Sequence, residues 1–63
     1  MKISEMTTPT LFKIKDKNFI SGLPENDNRI CMNINSGEIE SIPMDVEAGT
    51  SDFVFHYHNV YTD

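Results

Sequence analysis

Cysteine is almost missing from this chain: Cys31 stands alone. An internal disulfide is therefore excluded, as are Cys-x-x-Cys and zinc-finger spacings. Apolar runs are short. None approaches the ~18 residues of a membrane-spanning helix, so no membrane partner is expected. The opening stretch MKISEMTTPT lacks the apolar centre of a signal peptide, which makes the cytosol the expected compartment. Basic residues are missing from the whole second half: residues 30–63 contain no Lys or Arg. Phosphate binding needs such residues in clusters, so nucleic acid is not expected as a direct ligand. P-loop, nucleotide-fingerprint, Gly-x-Ser-x-Gly and EF-hand patterns are absent too, which argues against an enzyme and against a cofactor.

What remains is small. Sixty-three residues make one domain at most, and a chain of this size buries only about 60% of its unfolded surface. Leu, Ile, Val and Phe together number 16. That quarter of the chain lies above the roughly 20% level below which disorder is expected. Without disulfide or metal staples, stability must come from dense packing or from oligomerisation.

Charge is unevenly spread. Residues 1–29 hold all five basic residues (Lys2, Lys13, Lys15, Lys17, Arg29) and four acids, a net of +1. Residues 30–63 hold Glu38, Glu40, Asp45, Glu47, Asp52 and Asp63, a net of −6. A basic protein partner, reached with electrostatic help to the on-rate, fits this asymmetry. Acids that merely keep a small β protein soluble would give the same pattern.

Periodicity points to strands. In 11–15, Phe12 and Ile14 fall on one side, Lys13 and Lys15 on the other, as in a half-buried strand. Asp16-Lys17-Asn18 reads as a turn. Phe19-Ile20 begins a short strand that Gly22 and Pro24 should end, and 24–28 reads as a surface loop. From Arg29 to Ile42 a hairpin is expected, with Ile30, Met32 and Ile34 inside and Cys31, Asn33 and Asn35 outside. A two-residue turn at Ser36-Gly37 would set Ile34 opposite Ile39 and leave Glu38 and Glu40 exposed. Ile42 breaks that alternation, which a bulge near Ser41 or the strand's end at Pro43 would explain. Residues 43–52 leave two readings open, one helical turn near 43–49 or an acidic loop. Asp52 to Tyr61 alternates cleanly: Phe53, Phe55, Tyr57 and Tyr61 share one side, and Val54, His56, His58 and Val60 the other. The expected fold is mostly β, a small antiparallel sheet or partly open barrel of four or five short strands. Residues 1–10, with Pro9, read as an N-terminal arm that is flexible or ordered by a partner, and 11–63 as the single β domain.

Chemical candidates are few. His56 and His58 have the spacing of two metal ligands on one strand face, but zinc would need a third from Asp52, Asp63 or Cys31. No second pair supports such a site, so no metal is expected. Cys31 lacks a nearby base in sequence and reads as an inert thiol. Glu38 and Glu40 share a strand face and could mimic a glycosidase pair, yet a chain this short leaves little room for a substrate cleft. The aromatic stripe from Phe53 to Tyr61 has no interleaved basic residues of the kind that base-stacking strands carry.

The function expected from this balance is non-enzymatic. Glu38, Glu40, Asp45, Glu47 and Asp52, with Tyr57 and Tyr61 as anchors, would engage and block a larger protein through its basic surface. Very short acidic chains without catalytic motifs resemble, in type, the inhibitors that phages and mobile elements direct against host nucleic-acid-handling or defence proteins. That likeness implies a viral protein acting in the host cytoplasm. The alternative is a structural or assembly subunit, such as a small virion or scaffold component, that forms a homodimer or larger homo-oligomer through strand 53–61.

Overall fold

Two phenylalanines decide which side of the sheet becomes the core. In the computed structural model, which describes residues 1–53, Phe12 and Phe19 sit directly opposite each other on neighbouring strands. Their rings stack with centroids 5.3 Å apart. Five strands form one open antiparallel sheet: β1 (Leu11–Ile14), β2 (Lys17–Glu25), β3 (Asn28–Asn33), β4 (Ile39–Pro43) and β5 (Gly49–Thr50), in the spatial order β4-β3-β2-β1-β5. This is the mostly β, open-sheet architecture read from the periodicity.

The turns are tight. Lys15-Asp16 joins β1 to β2, with Ile14 opposite Lys17, so the turn falls one residue earlier than the spacing suggests. Asn26-Asp27 joins β2 to β3, inside the expected 24–28 loop. Lys15 (φ 58°) and Asn26 (φ 57°) take the left-handed conformation. Strand β2 does not stop at Gly22. Between the Ser21–Cys31 and Pro24–Arg29 pairs the register shifts, setting two residues of β2 against Ile30 alone. That is a bulge. Past it β1 no longer flanks β2, so the N–H that Pro24 lacks is not needed for a ladder.

The β3–β4 hairpin corrects the expected register and the expected inside. Met32, not Ile34, faces Ile39, and Cys31 faces Glu40. A longer turn causes the slip. Asn33 Oδ1 accepts the N–H groups of Asn35 (2.9 Å) and Ser36 (3.2 Å), and the Gly37 N–H closes onto the Asn33 carbonyl (2.7 Å) with Gly37 at φ 78°. The asparagine side chain builds a turn that a two-residue connection could not. Directly opposed residues share a face. Arg29, Cys31 and Asn33 therefore face the core and are buried, together with Ile42, while Met32 is exposed. Strand β4 runs regularly through Ser41, so the broken alternation at Ile42 needs no bulge: Ile39 and Ile42 lie on opposite faces.

The core-facing side is covered by two segments that run against each other. Ile3 N–H donates to the Val46 carbonyl (3.0 Å), Ser4 N–H to Met44 (3.0 Å), and Ala48 N–H to Met1 (2.8 Å). This places Ile3, Met6 and Ala48, all buried, over Phe12 and Phe19. The segment 1–10 runs along this side of the sheet, and Arg29 binds it there. Its guanidinium is buried and donates to the carbonyls of Ile3 (3.3 Å), Met6 (2.9 Å) and Gly22 (2.9 Å), and to Thr8 Oγ1 (3.4 Å). A 3-10 turn occupies Ile3–Glu5, whereas β4 ends at Pro43 and residues 44–48 form a simple turn and then an extended stretch, not a helical turn.

Candidate interaction surface

The acids expected to act together are split between three places. Glu38 is exposed in the β3–β4 turn, Glu40 is half-buried on the core-facing side opposite Cys31, and Asp45 is exposed just past the end of β4. Glu47 is bound to the N-terminal ammonium of Met1 at 3.0 Å. Asp52 receives Lys13 Nζ at 2.7 Å. That lysine, followed by Asn18, holds the Asp52 carboxyl below its ordinary range. Two of the five acids are thus engaged within the chain, and Glu38, Glu40 and Asp45 stand apart from them along β4. Tyr57 and Tyr61 lie outside the described residues.

Strand β4 is also a sheet edge. Asn33 N–H donates to the Glu38 carbonyl (2.8 Å) at one end of the hairpin, and Met44 N–H donates to the Asp27 carbonyl (3.0 Å) at the other. Between these points alternate residues point toward β3, so the N–H and C=O groups of Ile39 and Ser41 point away from it. Among the described residues nothing pairs with that outward row. The edge is short and carries Pro43, two devices that discourage unselective strand pairing.

On the face away from the core, apolar side chains line up across the strands. Leu11 is opposite Ile20, Ile20 opposite Met32, and Met32 opposite Ile39. Leu11 and Ile20 are half-buried, while Met32 and Ile39 are 37% and 65% exposed. Half-buried Ile30, opposite Ser41, lies on the same side. Alternation could not reveal this row, because its members come from four strands whose pairing depends on the Asn33 turn and the Gly22 bulge.

Among the described residues are two open depressions. One, of about 390 Å³, is lined by Met6, Leu11, Phe12 and Ala48 among others. The other, of about 360 Å³, has Ile14, Phe19, Ile42 and Val46 in its walls and Lys15, Lys17 and Glu40 around it. Of Glu38 and Glu40, only Glu40 lines this depression. Cys31 is buried and its thiol donates to the Arg29 carbonyl (3.6 Å). Burial pushes that thiol's pKa up, the opposite of an activated nucleophile. The two candidate metal ligands that are described, Cys31 and Asp52, do not converge: Cys31 faces the core, and Asp52 is tied to Lys13 on the other face. Among the described residues no group of three His, Cys, Asp or Glu gathers; His56, His58 and Asp63 lie outside them.

Comparison with known protein families, with curated proteins and with solved structures finds no match.

Proposed function

We propose that this chain is a non-catalytic binding protein that docks on a larger macromolecule by adding a strand of that partner to its β4 edge. The observation that carries the proposal is the open edge itself: outward backbone groups at Ile39 and Ser41, flanked by Glu38, Glu40 and Asp45. Main-chain hydrogen bonds supply affinity in such a union, and flanking side chains supply selectivity. Here the flanking groups are carboxylates: Glu40 shares a depression with Lys15 and Lys17, and Glu38 and Asp45 have no ion-pair partner among the described residues. A strand bearing Lys or Arg is the complementary partner. Two copies joined edge to edge would instead bring these acids against one another, which opposes β4 self-pairing. A partner with a basic strand beside a nucleic-acid groove suits an inhibitor of a host nucleic-acid-handling or defence protein, such as a phage or mobile element carries.

The tagged full chain, expressed in its own host, recovers the partner for the test. Ser41→Pro removes one outward N–H that nothing accepts among the described residues, together with the Ser41 Oγ that receives Asn28 Nδ2 at 2.9 Å; Ser41→Ala, which loses only that side-chain bond, is its control. Against Ser41→Ala, Ser41→Pro is expected to weaken the recovered complex at least tenfold. The triple change Glu38→Gln, Glu40→Gln, Asp45→Asn is expected to flatten the salt dependence of binding. Parental affinity and parental salt dependence in both variants would overturn the proposal.

A further inference from the structure

Exposure along the apolar row is graded, and the gradient points to one end. Leu11 on β1 and Ile20 on β2 are half-buried, Met32 on β3 is 37% exposed, and Ile39 on β4 is 65% exposed. Ile20 and Met32 have a row member on either side, while Ile39 has one on its β3 side alone. Leu11, the other end of the row, is nevertheless half-buried, so the row is most open at β4. We propose that the strand added at this edge carries an apolar–basic–apolar triplet: a large apolar residue opposite Ile39, Lys or Arg opposite Glu40, and a second apolar residue opposite Ser41. This rests on the strand addition proposed above and names the partner's sequence pattern.

Sheet geometry assigns the three positions. Successive residues of a strand point to opposite faces, and directly opposed residues share a face. Ile39 and Ser41 belong to the face of the row, because they lie opposite Met32 and Ile30; Glu40 belongs to the core-facing side, opposite Cys31. A strand laid along β4 at about 4.8 Å must follow the same alternation. Its residue opposite Ile39 extends the row and covers its most open member. Its residue opposite Ser41 lies beside a small side chain, over which a long apolar group reaches toward half-buried Ile30. Between these two falls the residue opposite Glu40, on the other face, where a cation meets a carboxylate. Lys15 and Lys17 line the same depression as Glu40 without forming an ion pair with it.

The triplet selects on both faces at once. An acidic residue opposite Glu40 sets like charges directly against each other, which is destabilising. Polar residues opposite Ile39 and Ser41 add no apolar contact to the open end of the row. The pattern reads the same from either end, so it holds for a parallel or an antiparallel partner strand.

Three disulfide-closed hairpin peptides test it, differing only in the triplet on their free edge strand: Val-Lys-Val, Thr-Lys-Thr and Val-Glu-Val. Titrated into the nitrogen-15-labelled full chain, the Val-Lys-Val hairpin is expected to bind about tenfold more tightly than either of the others and to slow amide exchange at Ile39 and Ser41. Ile39→Thr, a β-branched change at an exposed position, is expected to erase its preference over Thr-Lys-Thr. Glu40→Gln is expected to erase most of its preference over Val-Glu-Val. Equal affinity of the three hairpins, each protecting the Ile39 and Ser41 amides, would overturn the triplet and leave strand addition at β4 standing. Protection of those amides by none of them would overturn both.

Discussion

Arg29 is the residue whose loss should cost this fold most, and the reason is local. Its guanidinium serves four acceptors, none of them a carboxylate. Removing it does not orphan all of them. The Ile3 carbonyl also accepts the Met6 N–H (3.2 Å), and the Gly22 carbonyl also accepts Thr8 Oγ1 (2.7 Å). The Met6 carbonyl is the one whose 2.9 Å bond has no such substitute among the described residues. One orphaned buried acceptor costs about 1–3 kcal/mol. Loss of the remaining charge-assisted bonds and of the packed aliphatic stem adds to this. Desolvation of a buried charge, relieved in the variant, subtracts from it. We expect Arg29→Ala to destabilise by about 3 kcal/mol, from the orphaned acceptor, the lost charge-assisted bonds and the lost stem together. A domain of this length holds only about 3–9 kcal/mol in total. Arg29→Met separates charge from volume and should cost about 2 kcal/mol, a fall in melting temperature of roughly 8–16 °C. Urea unfolding followed by circular dichroism measures both. Amide exchange at Ile3, Ser4 and Met6 should accelerate with the loss of stability. If Arg29→Met were as stable as the parent, the segment 1–10 would be held by Ile3 and Met6 packing alone, and the role given to the guanidinium would be wrong.

The three glycines should rank in a definite order. A Cβ at Gly22 would stand 2.6 Å from the Ile30 carbonyl oxygen, a backbone atom, so Gly22→Ala should cost about 1–3 kcal/mol. Gly37→Ala meets nothing within 4 Å but must hold φ 78°, worth about 1 kcal/mol, and Gly49→Ala should be near neutral. Thermal melts of the three variants check the order, and an unaffected Gly22→Ala would refute the bulge geometry. The Asp52 carboxyl should titrate below the ordinary aspartate value of 3.8, because Lys13 favours its charged form. Since its pKa is lower folded than unfolded, the associated stability is fully present above that ordinary value. It is lost as pH falls through the folded one. Carbon-13 titration of the Asp52 carboxyl should show Lys13→Ala moving it back up; no movement would mean that the ion pair does not persist in solution.

Part of this fold is legible along the chain. The alternation of Phe12 and Ile14 with two lysines predicts β1 and its core-facing side, and the density of turn formers at 24–28 predicts the second turn. The hairpin from Arg29 to Ile42 shows where local reading stops. Ile30, Met32 and Ile34 are a more apolar triplet than Arg29, Cys31 and Asn33, so burying the triplet looks right in isolation. In the sheet the choice belongs to neighbours. Asn33 lies opposite Phe19, and Ser21 opposite Cys31, so the polar triplet shares a face with the stacked rings. Each polar member then has a reason to be inside: Asn33 caps a turn, and Arg29 binds the carbonyls of the segment that covers the core. Pairwise satisfaction of this kind involves residues up to 26 apart in sequence, which alternation cannot register.

The acidic surface shows the same limit. Counting charge along the chain correctly finds a second half without basic residues, and that feature still bears on the partner. It cannot say which carboxylates are free. Asp52 is 39 residues from Lys13 and Glu47 is 46 from the terminal ammonium, yet both are bonded. What remains is a smaller acidic set spread along one strand: Glu38 before β4, Glu40 within it and Asp45 just after it. A diffuse negative surface would speed encounter without fixing orientation. Carboxylates beside unpaired backbone groups do more: hydrogen bonds set the register of an incoming strand while charge selects its composition. The β4 edge, which no strand pairs with among the described residues, is therefore, more than the net charge, the feature on which recognition by this chain should turn.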